Sequence, residues 1–269
     1  MSVPSVKIGD LDISRFIIGG NPFSGFSHQS PQVDDEMRHW YTVDRIKEQL
    51  RLAEDLGIET HLGRADHHVC RYLMEYWDEG GKIKWVGQTC PGIGPSLKGV
   101  ANAVKFGASA CYIHGGHMDW LLANDLLDEA VEAVAAIKDA GLPAGVAGHN
   151  PEVFDWAEDN IDVDFYMCSY YNPTDRSKDP AGDPESTEWF YDEAREKMVE
   201  RISTLSKPAI HYKVFAAGRK DPKQALEFVA RHLRPQDAVC VGVFSKTNPD
   251  MLAEDLRLFI EAIDAAGAG

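Results

Sequence analysis

Short apolar runs alternate with amphipathic segments along the whole chain. The runs are rich in β-branched and aromatic residues, from RFIIGG at 15–20 to DAVCVGVF at 237–244. Between them, apolar positions recur every three or four residues, and in the segment 124–141 they fall at 127, 130, 131, 134 and 137 on one face. The runs therefore predict buried strands, and the segments between them predict helices.

The alternation produces eight strand–helix units. The predicted strands cover residues 15–20, 58–63, 82–90, 108–114, 142–149, 163–171, 207–215 and 237–244. Gly57, Gly107 and Gly141 end three of the helices, as C-cap glycines do. Eight such units in 269 residues predict a single (β/α)8 TIM-barrel domain over residues 1–269. The alternative, a doubly wound sheet, is disfavoured because the chain has no G-x-G-x-x-G phosphate-binding loop.

Composition narrows the class of protein. The hydrophobic fraction of 44% is enough for a large core, and the net charge of −16 disfavours nucleic acid and anionic membranes as partners. The five cysteines form no C-x-x-C pair, which is typical of a reducing compartment. With no signal-peptide pattern and no apolar run near the ~18 residues that a membrane helix needs, we expect a cytoplasmic protein with a small-molecule substrate.

Two long loops are predicted at the end of the barrel where the strands finish. The loop 23–41 contains Phe26, His28, His39 and Trp40 and is expected to cover part of the mouth. The loop 172–186 is rich in Pro, Asp and Ser, which indicates either a mobile lid or a solvated excursion.

Histidines occupy the ends of four predicted strands. They are His61, His114, His149 and His211, and His117 follows closely after the second of them. Active sites of TIM barrels lie at the carboxyl ends of the strands. Four occupied ends out of eight therefore predict a functional cluster rather than four unrelated packing residues.

Two kinds of chemistry would use this cluster. His61, His149, His211 and Cys90 could ligate a divalent metal such as Zn, Mn, Fe, Co or Ni. Alternatively, the imidazoles could act as general acids and bases, with His114 as the catalytic group.

A buried lysine adds a further candidate. Lys213 lies inside the apolar run HYKVF, where a charge is unfavourable unless it is paired or used. It could hold an anionic group, activate a carbonyl or form a Schiff base. The predicted substrate-binding residues are Asn21, Arg64, His117, Tyr170, Asn172 and Tyr212.

Three stretches resemble the aldo-keto reductase superfamily. VKIGDLDISRFIIGGNPF resembles its opening hairpin and first strand, CYIHGGHMD its fourth strand, and VFSKTNPDMLAEDLRLF its cofactor-phosphate loop and last helix. The resemblance implies an N-terminal β-hairpin before the barrel. It also implies hydride transfer from NADPH, assisted by an Asp, Tyr, Lys and His tetrad.

Only part of that tetrad is carried over. The family's His matches His114, and its Lys falls at Cys90. Its Asp and Tyr fall at Leu62 and His67 or, with a slip of one residue, at His61 and Asp66. The resemblance thus makes His67 and Asp66 catalytic candidates, but it supplies no tyrosine.

The cofactor end is better preserved. Ser245 and Lys246 match the phosphate-binding pair in reversed order, and Met251 stands where the family has the arginine for a 2′-phosphate. Tyr212 lies near the position of the aromatic residue that stacks on nicotinamide. The resemblance implies that a dinucleotide, NAD or NADP, is the alternative cofactor.

Three functions follow from these observations. The first is an aldo-keto-reductase-like barrel that acts as a metal-dependent, histidine-based lyase, isomerase or epimerase on a carbohydrate or hydroxy-carbonyl compound. The second is an NAD(P)-linked oxidoreductase with an altered tetrad. The third is a non-catalytic sugar-binding or sensor barrel.

Overall fold

Eight parallel strands close into a barrel. The computed structural model describes residues 3–180 and 189–267. An antiparallel hairpin of β1 (Ser5–Ile8) and β2 (Leu11–Ser14) precedes the barrel. The barrel strands are β3 (Phe16–Gly19), β4 (Thr60–Arg64), β5 (Lys84–Gln88), β6 (Ala110–Ile113), β7 (Ala144–Gly148), β8 (Phe165–Ser169), β9 (Ala209–Tyr212) and β10 (Ala238–Gly242). Each strand pairs with its neighbours in chain order, and β10 pairs with β3 to complete the ring.

Helices surround this ring. Those in the described residues are α1 (Pro31–Trp40), α2 (Val43–Asp55), α3 (His67–Asp78), α4 (Ser96–Lys105), α5 (Gly115–Ala123), α6 (Asp128–Asp139), α7 (Glu152–Asn160), α8 (Asp192–Ile202), α9 (Pro222–His232) and α10 (Met251–Ala266). None of these is long and apolar enough to cross a membrane. The (β/α)8 barrel with an N-terminal hairpin is therefore confirmed.

Side-chain caps fix where several helices begin. Ser30 accepts a hydrogen bond from the amide of Val33, and Asp221 accepts one from the amide of Gln224. In both helices proline occupies the first turn, where a missing amide hydrogen costs nothing. The first of these caps starts α1, which the sequence analysis had assigned to a loop.

Successive side chains of a strand point to opposite faces of the sheet, so the apolar residues form two clusters. Inward side chains such as Val86, Tyr112 and Met167 fill the barrel, while the larger cluster packs between the strands and the helices. Ile8 and Ile13 of the hairpin pack with the inward set, so the hairpin covers the end of the barrel where the strands begin. The opposite end, where the strands finish, is left for the site.

The first long loop differs from its predicted form, whereas the second is described only in part. In the first, Phe26 and His28 line the mouth as expected, whereas His39 and Trp40 belong to α1. The second, predicted over 172–186, lies partly outside the described residues, and its described portion, 172–180, contains no helix or strand.

Candidate functional site

His61 faces the helices rather than the barrel interior. On β4, Leu62 packs against the inward cluster, so the preceding side chain points to the other side of the sheet. His61 Nδ1 lies 3.0 Å from the carbonyl oxygen of Ile18, and its Nε2 lies 2.7 Å from the hydroxyl of Tyr72. Burial lowers the pKa of His61 to about 4, so the ring is neutral and serves as a hydrogen-bonding group within the core.

His211 is turned outward in the same way. Its Nδ1 lies 2.9 Å from the Tyr170 hydroxyl, and its Nε2 lies 3.3 Å from Oδ2 of the buried Asp237. The side chain of Arg234 donates two further hydrogen bonds to that carboxylate, at 2.8 and 2.9 Å, and its backbone amide donates a third at 3.2 Å. Tyr170 and His211 therefore belong to a structural network outside the barrel, and neither lines the mouth.

The structure does not bring the four predicted metal ligands together. His61 and His211 lie on the helix side of the sheet, whereas His149 is at the mouth. Cys90 donates to the carbonyl of Gln88 at 3.6 Å, and burial raises its pKa to about 11, which keeps it a thiol. Among residues 3–180 and 189–267, no three His, Cys, Asp or Glu side chains are grouped as metal ligands.

Three residues at the mouth form a hydrogen-bonded chain. Oδ2 of Asp119, on α5, lies 2.7 Å from Nδ1 of His149, at the end of β7. Oδ1 of the same carboxylate accepts from the backbone amides of His149 and Asn150, at 3.0 and 3.1 Å. The carboxylate accepts the Nδ1 proton, which leaves His149 Nε2 to accept from the Tyr212 hydroxyl 3.4 Å away.

Burial sets the charge of the two ends of this chain. It raises the pKa of Asp119 to about 6, against an opposing effect of the Arg176 guanidinium. Burial, followed by the negative charge of Asp119, also raises the pKa of Tyr212 above its ordinary value. The phenol is therefore a neutral proton donor at neutral pH, with an oriented imidazole behind it.

Gly115 leaves the space in which these groups meet. A β-carbon at this position would lie 2.8 Å from the Tyr212 hydroxyl and 3.2 Å from Cε1 of His149. The first distance is shorter than real side chains show. The glycine that follows His114 in the sequence thus permits the close approach of the phenol and the imidazole.

His114 has a different task from that of His149. Its Nδ1 accepts from the amide of His117 at 3.3 Å and so caps α5, which places the ring proton on Nε2. Burial and the nearby charges of His149 and Arg64 hold the pKa of His114 well below its usual range.

Two arginines lie at the mouth although the protein is strongly acidic. Arg176 has only 7% of its surface exposed, and its Nη1 lies 4.0 Å from Oδ2 of Asp119. Arg64 is paired with Asp66 at 2.9 Å and lies over the ring of Phe26. The mouth therefore combines local positive charge with two acidic partners.

A cavity of about 450 Å³ opens at the mouth. The polar residues that line it are Asn21, Ser27, His28, Gln29, Gln88, Tyr112, Tyr212, Lys213, Lys220, Thr247 and Asp255. His149 and Asp119 are not part of the lining, and Tyr212 is the residue that connects them to the cavity. From Tyr212 the cavity extends to Thr247, Met251 and Asp255, around the start of α10.

Three of the predicted residues make contacts that are internal to the protein, and a fourth is exposed. Nε2 of His117 lies 2.8 Å from Glu129 on α6. Asp66 caps α3 by accepting from the amide of Val69, and His67 lies exposed on the first turn of that helix. Asn172 accepts from Arg176 at 3.2 Å, so it positions that arginine beside Asp119.

The two residues predicted for cofactor phosphate also have protein partners. The amide of Ser245 donates to the hydroxyl of Tyr41 at 3.1 Å. Lys246 is partly exposed to solvent and forms an ion pair with Glu36 of α1. Neither residue lines the cavity, although Thr247, their neighbour, does.

Several residues of the mouth are not among those that the sequence predicts. Asp119 lies in the HGGHMD stretch, and its position five residues after His114 on a helix that starts at a strand end was the available signal. Gln88 and Tyr112 hold inward positions two residues after Val86 and Ala110 and are joined by a 2.8 Å hydrogen bond. Arg176 lies within a loop whose sequence is otherwise typical of a solvated segment.

Solved structures share this fold at low sequence identity. A truncated 3-deoxy-D-arabino-heptulosonate 7-phosphate synthase from Thermotoga maritima aligns with 99% of this chain and 94% of its own, at 13% identity and a TM-score of 0.58. The glycerol dehydrogenase AKR11B4 from Gluconobacter oxydans aligns with 99% of this chain and 95% of its own, at 12% identity and a TM-score of 0.59. A Gox0644 variant in complex with NADPH has the same identity and score and covers 94% of its own chain.

Sequence comparison adds no family. No protein-family model matches the chain, and no curated protein matches it. At 12–13% identity the structural likeness shows the fold alone. The chain is thus similar in its barrel to a synthase and to a dehydrogenase, and the aldo-keto reductase resemblance holds for the barrel while the family itself stays a prediction.

Proposed function

We propose that the protein is an enzyme that transfers protons on a hydroxy-carbonyl substrate. The observation that carries this proposal is the chain of hydrogen bonds from Asp119 through His149 to Tyr212, with 2.7 Å and 3.4 Å between successive polar atoms. It lies at the carboxyl ends of barrel strands, where barrel enzymes have their active sites. The reaction class is isomerisation, epimerisation or cleavage next to a carbonyl.

Each member of the chain has a distinct role in this proposal. As the phenolate, Tyr212 takes a proton from the carbon atom next to the substrate carbonyl, because it alone of the three residues lines the cavity. His149 Nε2 receives the phenolic proton, and Asp119 orients the ring and stabilises the imidazolium that forms. His114 does not line the cavity, and its role is to cap α5, the helix that carries Asp119.

The lining favours a polyhydroxylated substrate. The amides of Asn21 and Gln88 and the hydroxyls of Tyr112 and Tyr212 offer donors and acceptors around one cavity. A volume of about 450 Å³ accommodates a small sugar or sugar acid. We therefore propose carbohydrates and related hydroxy-carbonyl compounds as the substrate class, with no metal ligand required from the predicted set.

The test is solvent hydrogen exchange, which detects proton transfer without knowledge of the product. Aldoses, ketoses and sugar acids are incubated with the protein in D₂O, and loss of C–H signals next to the carbonyl is followed by NMR. We expect exchange with at least one compound. His149→Gln should slow it ~10²-fold or more because the general base is lost.

A matched variant keeps this test specific. His39→Gln makes the same change at an exposed histidine of α1 and should leave the exchange rate unchanged. Equal rates for His149→Gln and the unsubstituted protein would contradict the proposal. Tight sugar binding without exchange would instead support the non-catalytic sensor barrel.

A second candidate is an NAD(P)-linked oxidoreductase, favoured by the shape of the cavity. Its extension from Tyr212 to Thr247 and Met251 matches an elongated ligand better than a single sugar. A bound dinucleotide would supply hydride, while Tyr212 would supply the proton. Lys246 could hold a phosphate only after leaving Glu36, so Lys246→Ala should weaken binding of NADH or NADPH measured by fluorescence titration. Unchanged affinity would count against this candidate.

A further inference from the structure

Backbone strain is concentrated at one corner of the barrel mouth. Five non-glycine residues in the described chain have left-handed φ angles, and four of them meet here: His28 (55°), Lys213 (58°), Ala216 (50°) and Ala217 (55°). Residues with a β-carbon avoid this region unless the surrounding structure holds them in it. Such concentrations of strain occur at sites where a side chain must be aimed.

The strain at Lys213 directs its side chain into the cavity. On β9, Tyr212 points inward, so regular alternation would send the next side chain outward among the helices. The left-handed backbone breaks that alternation, and Lys213 lines the cavity beside Tyr212. Hydrogen bonds from Gln29 to the Ala217 carbonyl (2.8 Å) and from Arg219 to the His28 carbonyl (3.0 Å) hold the two strained loops together.

Lys213 meets an imidazole within the cavity. Its Nζ lies 2.8 Å from Nε2 of His28, and Nδ2 of Asn21 lies 3.4 Å from the same atom. An ammonium group and an amide NH₂ both donate hydrogen bonds, so Nε2 is the acceptor and the imidazole is uncharged. His28 is therefore placed to take a proton from the Lys213 ammonium.

We propose that Lys213 is a nucleophile that forms a Schiff base with the carbonyl group of the substrate. This inference rests on the proposed function, because Tyr212 of the proton-transfer chain lines the same cavity. A carbonyl compound between the two residues contacts the amine with its carbon and the phenol with its oxygen. A Schiff base explains why the chain holds a strained lysine and a neutral histidine together at the mouth.

The reaction balances without any other reagent. Nζ of the ammonium loses one proton to His28 Nε2 and bonds to the carbonyl carbon. A second proton moves from nitrogen to the carbonyl oxygen, by way of Tyr212. The hydroxyl group then leaves as water with the proton held on His28, and a protonated imine remains. This imine attracts electrons from the adjacent C–H or C–C bond, which is the bond that the proposed enzyme breaks.

Reductive trapping tests the inference on the full chain. The protein is incubated with glycolaldehyde, glyceraldehyde, dihydroxyacetone or pyruvate and then treated with sodium borohydride. We expect intact-mass spectrometry to show one adduct, with the mass of the compound less one oxygen atom. Peptide mapping should place it on Lys213. Lys220 lines the same cavity and is paired with Asp192 at 2.7 Å, so it serves as the internal control for simple accessibility.

Two variants test whether Lys213 acts as a nucleophile or only supplies a positive charge. Lys213→Arg keeps the charge but cannot form an imine, so the adduct should disappear and deuterium exchange should fall ~10²-fold or more. His28→Gln should slow trapping about tenfold because the proton acceptor is lost. The peptide map of the unsubstituted protein decides the question even where a variant fails to fold.

Two results would overturn the inference. One is the absence of any adduct on Lys213 across the four compounds, or equal labelling of Lys213 and Lys220. The other is normal deuterium exchange by Lys213→Arg, which would make the lysine an anion-binding residue and leave the proposed function standing. An adduct on Lys213 without exchange by any compound would reject the proposed function and keep the Schiff base.

Discussion

At the scale of single residues, Asp119 controls the charge of the proposed relay. The relay needs the carboxylate form, because only that form accepts the Nδ1 proton of His149 and stabilises the imidazolium. Burial raises the pKa of Asp119 to about 6. We therefore expect the exchange rate to fall as the pH drops through about 6, with an apparent pKa that belongs to the Asp119–His149 pair.

Protonation of Asp119 has the opposite effect on stability, because it lowers the exchange rate but stabilises the fold. Because the folded-state pKa is raised from 3.8 to about 6, the native protein keeps the proton longer than the unfolded chain, and stability declines between these values as the pH rises. Asp119→Asn should lower the exchange rate ~10²-fold or more. It should also remove the fall of the exchange rate near pH 6, and it should make the free energy of unfolding less dependent on pH in this range. If the exchange rate of Asp119→Asn still fell near pH 6, the group that titrates there would be another residue.

Gly115 provides a second test at this scale. A methyl group at this position would lie 2.8 Å from the Tyr212 hydroxyl, so Gly115→Ala must displace the phenol. A shift of about 1 Å in a catalytic group costs roughly 10²-fold in rate, and we expect that loss in the exchange assay. The control is Gly92→Ala, where the nearest atom would be 4.0 Å away. Equal rates for the two variants would show that Tyr212 takes no part in proton transfer.

At the scale of elements, the strands determine which predicted site residues face the mouth and which face the helices. Parallel barrel strands are buried on both faces and read as continuous apolar runs, so polar alternation does not show which face is inward. The stretches HLG on β4 and IHY on β9 show no such alternation. A shift of one residue in the predicted register of β4 would turn His61 inward and Leu62 outward. The sequence could place His149 and Tyr212 at strand ends, but the structure was needed to assign His61 and His211 to the outer face.

The outer network around β9 has a measurable structural role. Burial opposes the charge of Asp237, but hydrogen bonds from His211 and Arg234 outweigh it and lower the pKa of this carboxyl. Its stabilising contribution is therefore complete above the unfolded value of 3.8 and is lost as the pH falls below it. Asp237→Ala should lower the free energy of unfolding by about 3 kcal/mol, because it leaves the buried His211 and the partly buried Arg234 without this carboxylate.

Urea unfolding at neutral pH and at about pH 3.5 measures this contribution. Asp237→Ala should lower the free energy of unfolding by a large amount at neutral pH and by a smaller amount at about pH 3.5. The proton-exchange rate per folded molecule should stay unchanged, since the network lies on the far side of the sheet from Tyr212. A variant of normal stability that has lost exchange would instead give Asp237 a role in the chemistry.

At the scale of the whole molecule, the eight-fold alternation of strands and helices was enough to predict the closed barrel. The site required more, because its residues come from distant segments that only the closed barrel brings together. Asp119, His149 and Tyr212 lie on three different elements, and their separation along the chain carries no pattern. Lys213 was singled out by its apolar surroundings, whereas the strained backbone that aims it has no signature in the sequence.

Closure of the barrel also keeps the predicted metal ligands apart. Each barrel strand is hydrogen-bonded on both sides, so one strand cannot slip by a residue without breaking two ladders. His61 and His211 therefore stay outside while His149 stays at the mouth. We expect elemental analysis of untagged protein, purified without chelator, to show substoichiometric Zn, Mn, Fe, Co and Ni, and we expect dialysis against a chelator to leave deuterium exchange unchanged. One equivalent of metal that is lost in His149→Ala but kept in His61→Ala would contradict this and place a metal ion at the mouth.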